Sequence, residues 1–241
     1  MKKQILIFAT AFVAVAFVSC SKETIEKQNV EVSEEIPTAT QRPDPSLNKG
    51  LIGLFEFNSN LKDKTGKLAD AFPTSDNSAK YTVDRKGRRG SAIKFDGTYG
   101  LAVFNVPLTI KMSLVAWVKN DSLPSVIKPM AFGTSGGPGF LQVNNEYYGF
   151  NSNNIDNYAA PAQANNEWRL LVLTMDGAVM KFYVDGNIVG TKPITNFSGL
   201  SSTYYFIGFN GSTNFWSGSM DDLRLYDRVL SSNEVQGLFN L

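Results

Sequence analysis

Histidine is absent from this chain, and cysteine occurs once. Without histidine there is no imidazole to serve as a general base near neutral pH, and none to hold a zinc or copper ion. One cysteine forms neither an intrachain disulfide nor a cysteine-rich metal cluster. An excess of charge of one sign is missing too, since 23 Lys and Arg against 22 Asp and Glu leave +1. Binding to nucleic acid through its phosphates requires a basic excess, so no nucleic-acid partner is expected. Any catalysis would run on carboxylates, tyrosine, lysine or hydroxyls. Any metal would be a hard, oxygen-bound ion such as calcium.

The apolar run from Ile5 to Val18 covers about fourteen residues, short of the roughly 20 that span a bilayer. Lys2 and Lys3 precede it, and a basic start before a short apolar stretch predicts a secretory signal over residues 1–19. Its end, Phe17-Val18-Ser19-Cys20, resembles a bacterial lipobox, cut before Cys20 and lipidated on that sulfur. That resemblance implies a lipoprotein of the cell envelope, anchored in the outer membrane and able to face outward. Plain secretion with an incidental cysteine is the alternative. Residues 20–50 then read as the lipidated Cys20 and a disordered tether. Residues 21–50 contain no aromatic, charges of both signs are mixed there, and Pro37, Pro43 and Pro45 interrupt any helix.

Residues 51–241 are expected to form one domain, as a monomer. Short strand-like runs follow one another with turn signals between them, which argues for an antiparallel sandwich rather than βαβ units. The clearest hairpin is Val179–Asp185, Gly186, Asn187–Gly190, in which Asp-Gly supplies the positive φ angles of a tight turn. Met112–Lys119 is apolar on both parities and is expected to lie centrally, covered on both faces. One helix is predicted near the C-terminus, where Ser231 and Glu234 have capping-box spacing ahead of Val235, Leu238 and Phe239.

Four segments in order resemble the laminin G-like branch of the concanavalin A-like lectin/glucanase jelly rolls. They are "LIGLFEFNSNLKD" at Leu51–Asp63, "AIKFDG" at Ala92–Gly97 with "SLVAWVK" at Ser113–Lys119, "WRLLVLTMDGAVMKFYVDGNIVG" at Trp168–Gly190, and "FWSGSMDDLRLYDRVLSSNEVQGLF" at Phe215–Phe239. The resemblance implies an all-β, two-sheet jelly-roll sandwich with a concave groove and, in many relatives, a calcium ion. It implies no particular activity, because the fold carries lectins, hydrolases, lyases and protein-binding modules.

Hydrolases of this fold resemble a Glu-x-Asp-x-x-Glu strand pattern, and no Glu-x-Asp occurs here. Similar lyases pair a histidine with a tyrosine, and histidine is lacking. A non-enzyme is therefore expected. The Asp221-Asp222 pair breaks the alternation of its strand, which predicts a bulge. By resemblance, Asp222 would hold calcium together with Glu56, Asn58 and Asp63 of the first-strand region. The alternative is a solvent-facing acid pair with Asp222 bound to an arginine. Sugar binding calls for aromatic faces and amides. The expected contacts are Tyr147, Tyr148 and Tyr158, with Phe150 nearby, in an Asn-rich stretch that runs from Asn144 to Asn166, and Tyr183 on the polar side of its hairpin. Trp117 and Trp216 are expected in the core. The expected partner is an oligo- or polysaccharide, with the membrane reached only through the lipid. A protein-adhesion or structural module is the alternative, and a glycoside hydrolase a weaker one.

Overall fold

The computed structural model describes residues 45–75, 79–121, 128–133, 137–143, 146–150, 158–159, 166–195 and 204–241. The signal, Cys20 and most of the tether lie outside the described residues.

After a 3-10 turn, η1 (Pro45–Asn48), the described residues form fifteen strands and one helix. The strands are β1 (Leu51–Phe55), β2 (Phe72–Pro73), β3 (Lys80–Thr82), β4 (Ala92–Asp96), β5 (Leu101–Phe104), β6 (Lys111–Asn120), β7 (Lys128–Gly133) and β8 (Gly139–Val143). They continue with β9 (Glu146–Phe150), β10 (Tyr158–Ala159), β11 (Arg169–Asp176), β12 (Val179–Val184), β13 (Asn187–Pro193), β14 (Tyr204–Ile207) and β15 (Ser217–Tyr226), and α1 (Ser232–Phe239) ends the chain. They pair antiparallel in two sheets. Sheet A runs β13-β12-β11-β6-β15-β4-β3 with β1 also on β15, and sheet B runs β10-β9-β8-β7-β14-β5-β2. This is the expected two-sheet jelly roll.

Alternation along the strands builds two apolar layers. Leu114, Ala116 and Val118 of β6 face the core between the sheets, with Phe95, Leu171, Phe182, Tyr205 and Ile207. The opposite parity, Val115 and Trp117, packs outward with Leu170, Val172 and Tyr226 under Leu47 of η1 and Val235 and Leu238 of α1. That second layer is why β6 reads as apolar on both faces. Trp216 is enclosed in the main core, where its Nε1 donates to Asn120 Oδ1 (3.0 Å) and Gln142 Oε1 (3.3 Å).

The local signals hold. Asp185 and Gly186 turn the β12–β13 hairpin with φ of 50° and 81°. Ser231 accepts from the Glu234 N–H, while the Glu234 carboxylate accepts from the Ser231 N–H at 2.8 Å, closing the capping box. The β15–β6 register slips between Asp221 and Arg224, and Asp222 sits at φ 48°, so the bulge is real. Met220 and Leu223 therefore both face the core although three residues apart.

The tether expected through residue 50 ends earlier, because Leu47 is buried against sheet A. Arg228 fastens this segment. It donates to the Lys49 carbonyl (2.6 Å) and the Ser46 carbonyl (2.8 Å), and grips Glu234 of α1 with two bonds of 2.9 and 2.7 Å.

Candidate functional site

The outer face of sheet B carries a continuous run of aromatic rings. Leu101 and Val103 of β5 and Tyr205 and Ile207 of β14 point into the core. Alternation therefore turns Ala102, Phe104, Tyr204 and Phe206 outward. Register places Tyr204 beside Phe104, Phe206 beside Ala102, and Phe72 of β2 on the far side of Ala102. Phe72 stacks on Phe104 at 4.7 Å between centroids, Phe104 meets Tyr204 at 4.8 Å, and Tyr204 stacks on Phe206 at 5.8 Å. Phe206 meets Phe209 at 4.7 Å, and Phe209 stacks on Phe215 at 5.6 Å with planes 7° apart. Such pairs add about 0.5–1.5 kcal/mol each beyond area burial. Phe104 nevertheless remains 39% exposed.

The last two rings are set by a tight loop. Phe209 and Phe215 form a β-bridge across it, and Asn210 Oδ1 accepts the N–H groups of Ser212, Thr213 and Asn214 at 3.0–3.1 Å. Gly211 sits at φ +83°, and a Cβ there would lie 2.4 Å from Phe206 Cε2. Only glycine lets the loop turn and the Phe206 ring lie against it. Five of the rings, Phe72, Tyr204, Phe206, Phe209 and Phe215, line an open depression of about 400 Å³ over Ala102, bordered by Thr74, Ser75 and Ser212. A small residue among large ones leaves a slot rather than a flat apolar face.

The expected sugar-contacting tyrosines are arranged differently. Tyr147 faces the main core, its hydroxyl accepting from Asn120 Nδ2 at 2.8 Å, and burial pushes its pKa up. Tyr183 is buried beneath α1, with its hydroxyl 3.5 Å from Ser232 Oγ. Neither offers a ring face to a ligand. The polar parity of the β12 hairpin misled for Tyr183 because the helix covers that end of the strand. Tyr148 does lie half-buried on the outer side of sheet B, donating to Glu146 at 2.6 Å, three strands from β14. Tyr158 belongs to β10, but its side chain and most of the Asn-rich stretch lie outside the described residues. Phe150 is buried.

A larger cavity, about 580 Å³, lies at the rim of sheet A and collects Glu56, Asn58, Asp221, Asp222 and Arg85. The loop that delivers Arg85 is turned by Asp84, whose carboxylate accepts the N–H groups of Lys86 (2.9 Å) and Arg88 (2.7 Å). The Arg85 guanidinium then forks, Nη1 to Asp221 and Nη2 to Asp222 at 2.8 Å, and lies 4.9 Å over the Trp117 ring. Burial, and next the neighbouring Asp222 charge, raise the Asp221 pKa to about 7 despite Arg85. Glu56 pairs with Lys64 at 2.7 Å and accepts from Asn58.

Asp63 stands apart from this cavity. Its carboxylate accepts N–H groups from Leu54, Thr65, Lys67 and Leu68 and the Thr65 hydroxyl. Burial alone would raise its pKa, but these donors outweigh it and hold the group below the usual carboxylate range. The four residues therefore do not fit a calcium ion. Asp63 is ringed by donors, Glu56 is neutralised by lysine, and an arginine fills the corner beside Asp222. Among the described residues no group of three or more acidic, cysteine or histidine side chains could hold a metal.

A search of curated protein sequences found no match. Solved structures share the fold. Domain 4 of AbnA, an extracellular arabinanase of Geobacillus stearothermophilus solved with arabinotriose, aligns with a TM-score of 0.64 at 20% identity, over 78% of this chain and 97% of that one. The botulinum neurotoxin serotype D binding domain aligns at 0.64 and 15% identity, over 81% of this chain and 52% of that one. Trypanosoma rangeli sialidase aligns at 0.58 and 20% identity, over 79% of this chain and 32% of that one. This chain thus spans about half of the toxin domain and a third of the sialidase. The family model for the concanavalin A-like lectin/glucanases superfamily matches residues 95–236. The sequence match, the two-sheet sandwich and its register agree: the chain belongs to the concanavalin A-like lectin/glucanases superfamily.

Proposed function

We propose that this protein is a non-catalytic carbohydrate-binding domain whose ligand lies on the outer face of sheet B. The observation that carries the reading is the six-ring run, five of whose rings line the Ala102 slot while Phe104 extends it beside the slot and stands well exposed. Aromatic area left open to water on one sheet face marks a binding site. The apolar face of a pyranose stacks on such rings, while its hydroxyls reach the polar border of the slot. The domain of the arabinanase that aligns over nearly its whole length was solved with a trisaccharide, which supports the same ligand class here. Against hydrolysis, the acids in the larger cavity are held in ion pairs. Asp221 is also sealed, with its side chain 2% exposed.

The presentation we propose follows from the other end of the chain. Cys20 carries the lipid, residues 21–44 act as the tether, and the domain stands at the cell envelope. The segment that leads into the domain packs on the outer face of sheet A, opposite the aromatic face.

A glycan array probed with the full chain and with a Phe104→Ala, Phe206→Ala double variant tests the reading. Binding that is lost in the folded variant supports it. Equal binding by both proteins would place the site elsewhere. Failure of the wild type to bind any glycan would favour an adhesion or structural module.

A further inference from the structure

The slot on sheet B and the cavity on sheet A differ in charge as well as shape. The sheet A cavity is lined by six cations, Lys64, Lys67, Arg85, Lys86, Arg88 and Arg224, among three acids. Among the described residues that line the sheet B slot there is no Asp, Glu, Lys or Arg. Its polar groups are hydroxyls. Thr74 Oγ1 donates to the Gly100 carbonyl at 3.1 Å. The Ser75 and Ser212 hydroxyls are exposed at the border and have no protein partner among the described residues.

We infer that the slot selects uncharged saccharides and discriminates against uronate, sialate and sulfate sugars. This rests on the carbohydrate reading above and narrows it. Three features drive the selection. The faces of aromatic rings carry the negative end of the quadrupole, so an anion held over Phe72 or Phe206 is repelled. No described lining cation compensates it, and a carboxylate or sulfate taken out of water without a partner is penalised. A neutral ring has its hydroxyls matched by Ser75 and Ser212, which both donate and accept. Shape adds to charge, because Ala102 forms the floor between Phe72 and Phe206 in register, so one ring can settle between the aromatic walls. Affinity is then insensitive to salt, since no ion pair forms.

The test is titration calorimetry of the full chain with neutral hexasaccharides (cellohexaose, xylohexaose, mannohexaose) and acidic ones (hexagalacturonate, a heparin hexasaccharide), at low and high salt. Two variants accompany it. Ala102→Leu fills the floor of the slot, and Ser212→Lys sets a cation on an exposed loop position that no packing depends on. The expected result is binding of at least one neutral sugar, unchanged by salt, with acidic sugars at least about tenfold weaker. Ala102→Leu weakens the neutral sugar by at least about tenfold, and Ser212→Lys narrows the gap between the two classes. Tighter binding of an acidic sugar, or affinity that falls with salt, overturns the charge class while leaving the carbohydrate site in place. No binding of either class overturns the carbohydrate reading itself. Neutral binding indifferent to both variants overturns the location.

Discussion

Replacing Arg85 by methionine is expected to be among the most damaging single changes in the domain. The methionine keeps the unbranched stem of the side chain but removes the guanidinium that serves Asp221 and Asp222 together. The Arg85 and Asp221 side chains are 8% and 2% exposed, so water cannot substitute for the lost partner. Breaking a buried charge pair by removing one member costs about 3–5 kcal/mol. The guanidinium also leaves the face of Trp117, a contact worth about 0.5–2 kcal/mol. For a domain of this size each kcal/mol moves Tm by roughly 2–4 °C, so the two losses together amount to about 7–28 °C. The pH dependence has a defined sign. In the wild type the folded pKa of Asp221, about 7, lies above its ordinary 3.8. The native state therefore binds the extra proton, and stability falls as pH rises from about 4 to about 7. Without Arg85 that decline should extend above pH 7. Calorimetric unfolding across pH, with calcium and with chelator, reads all of this. The wild type is expected to be indifferent to both additions. Arg85→Met leaves Asp221 without an ion-pair partner among the described residues and Asp222 with Arg224 alone, at 3.7 Å, and is expected to regain stability in calcium. The reasoning is refuted if chelator lowers the wild-type Tm, or if Arg85→Met unfolds within about 1 kcal/mol of wild type.

Glu234→Ala removes the capping box and the Arg228 grip at once, and is expected to cost about 1–2 kcal/mol in chemical denaturation. The Arg228 hydrogen bonds hold the Glu234 pKa near about 2 against 4.5. Its contribution is thus present above pH 4.5 and lost as pH falls toward 2, the opposite direction from Asp221. Tyr147→Phe strands the Asn120 amide in the core and should destabilise the fold by about 1–3 kcal/mol while leaving saccharide affinity unchanged, as a titration of the variant would show. Gly211→Ala is strained by its φ and collides with Phe206; it should weaken sugar binding severalfold with a drop in Tm no larger than a few degrees. Cys20→Ala is expected to move the protein from the membrane fraction to the soluble fraction of cells.

Features written in local chemistry were legible in the sequence. The Asp185-Gly186 turn, the Ser231–Glu234 capping box and the bulge at Asp221-Asp222 each follow from neighbouring residues whose preferences agree. The aromatic run was not, because Phe72, Phe104, Tyr204 and Phe215 come from separate segments and meet only through strand register. One signal was available: Tyr204-Tyr205-Phe206-Ile207 is apolar on both parities, so one face of that strand had to be either covered or exposed for use. Parity also identified Tyr183 as outward but could not show that a helix more than forty residues later covers it. Arg85 sits in a basic, glycine-containing loop that reads as solvated surface. Its pairing with residues 136 and 137 positions away leaves no local trace.

The clasp made by Arg228 bears on what happens when the protein is pulled. If the domain is anchored and binds a saccharide as proposed, it carries tension whenever anchor and ligand are drawn apart. Force arriving at Pro45 first meets the Ser46 and Lys49 carbonyls on Arg228, the Leu47 carbonyl on the Tyr226 hydroxyl, and the pairing of β1 with β15. From there it spreads into sheet A and α1, and it reaches sheet B only across the core. The mechanical fuse is therefore the short segment around η1. Under the proposed anchoring it would peel away first, while β5 and β14 keep the register that holds the aromatic rings in line.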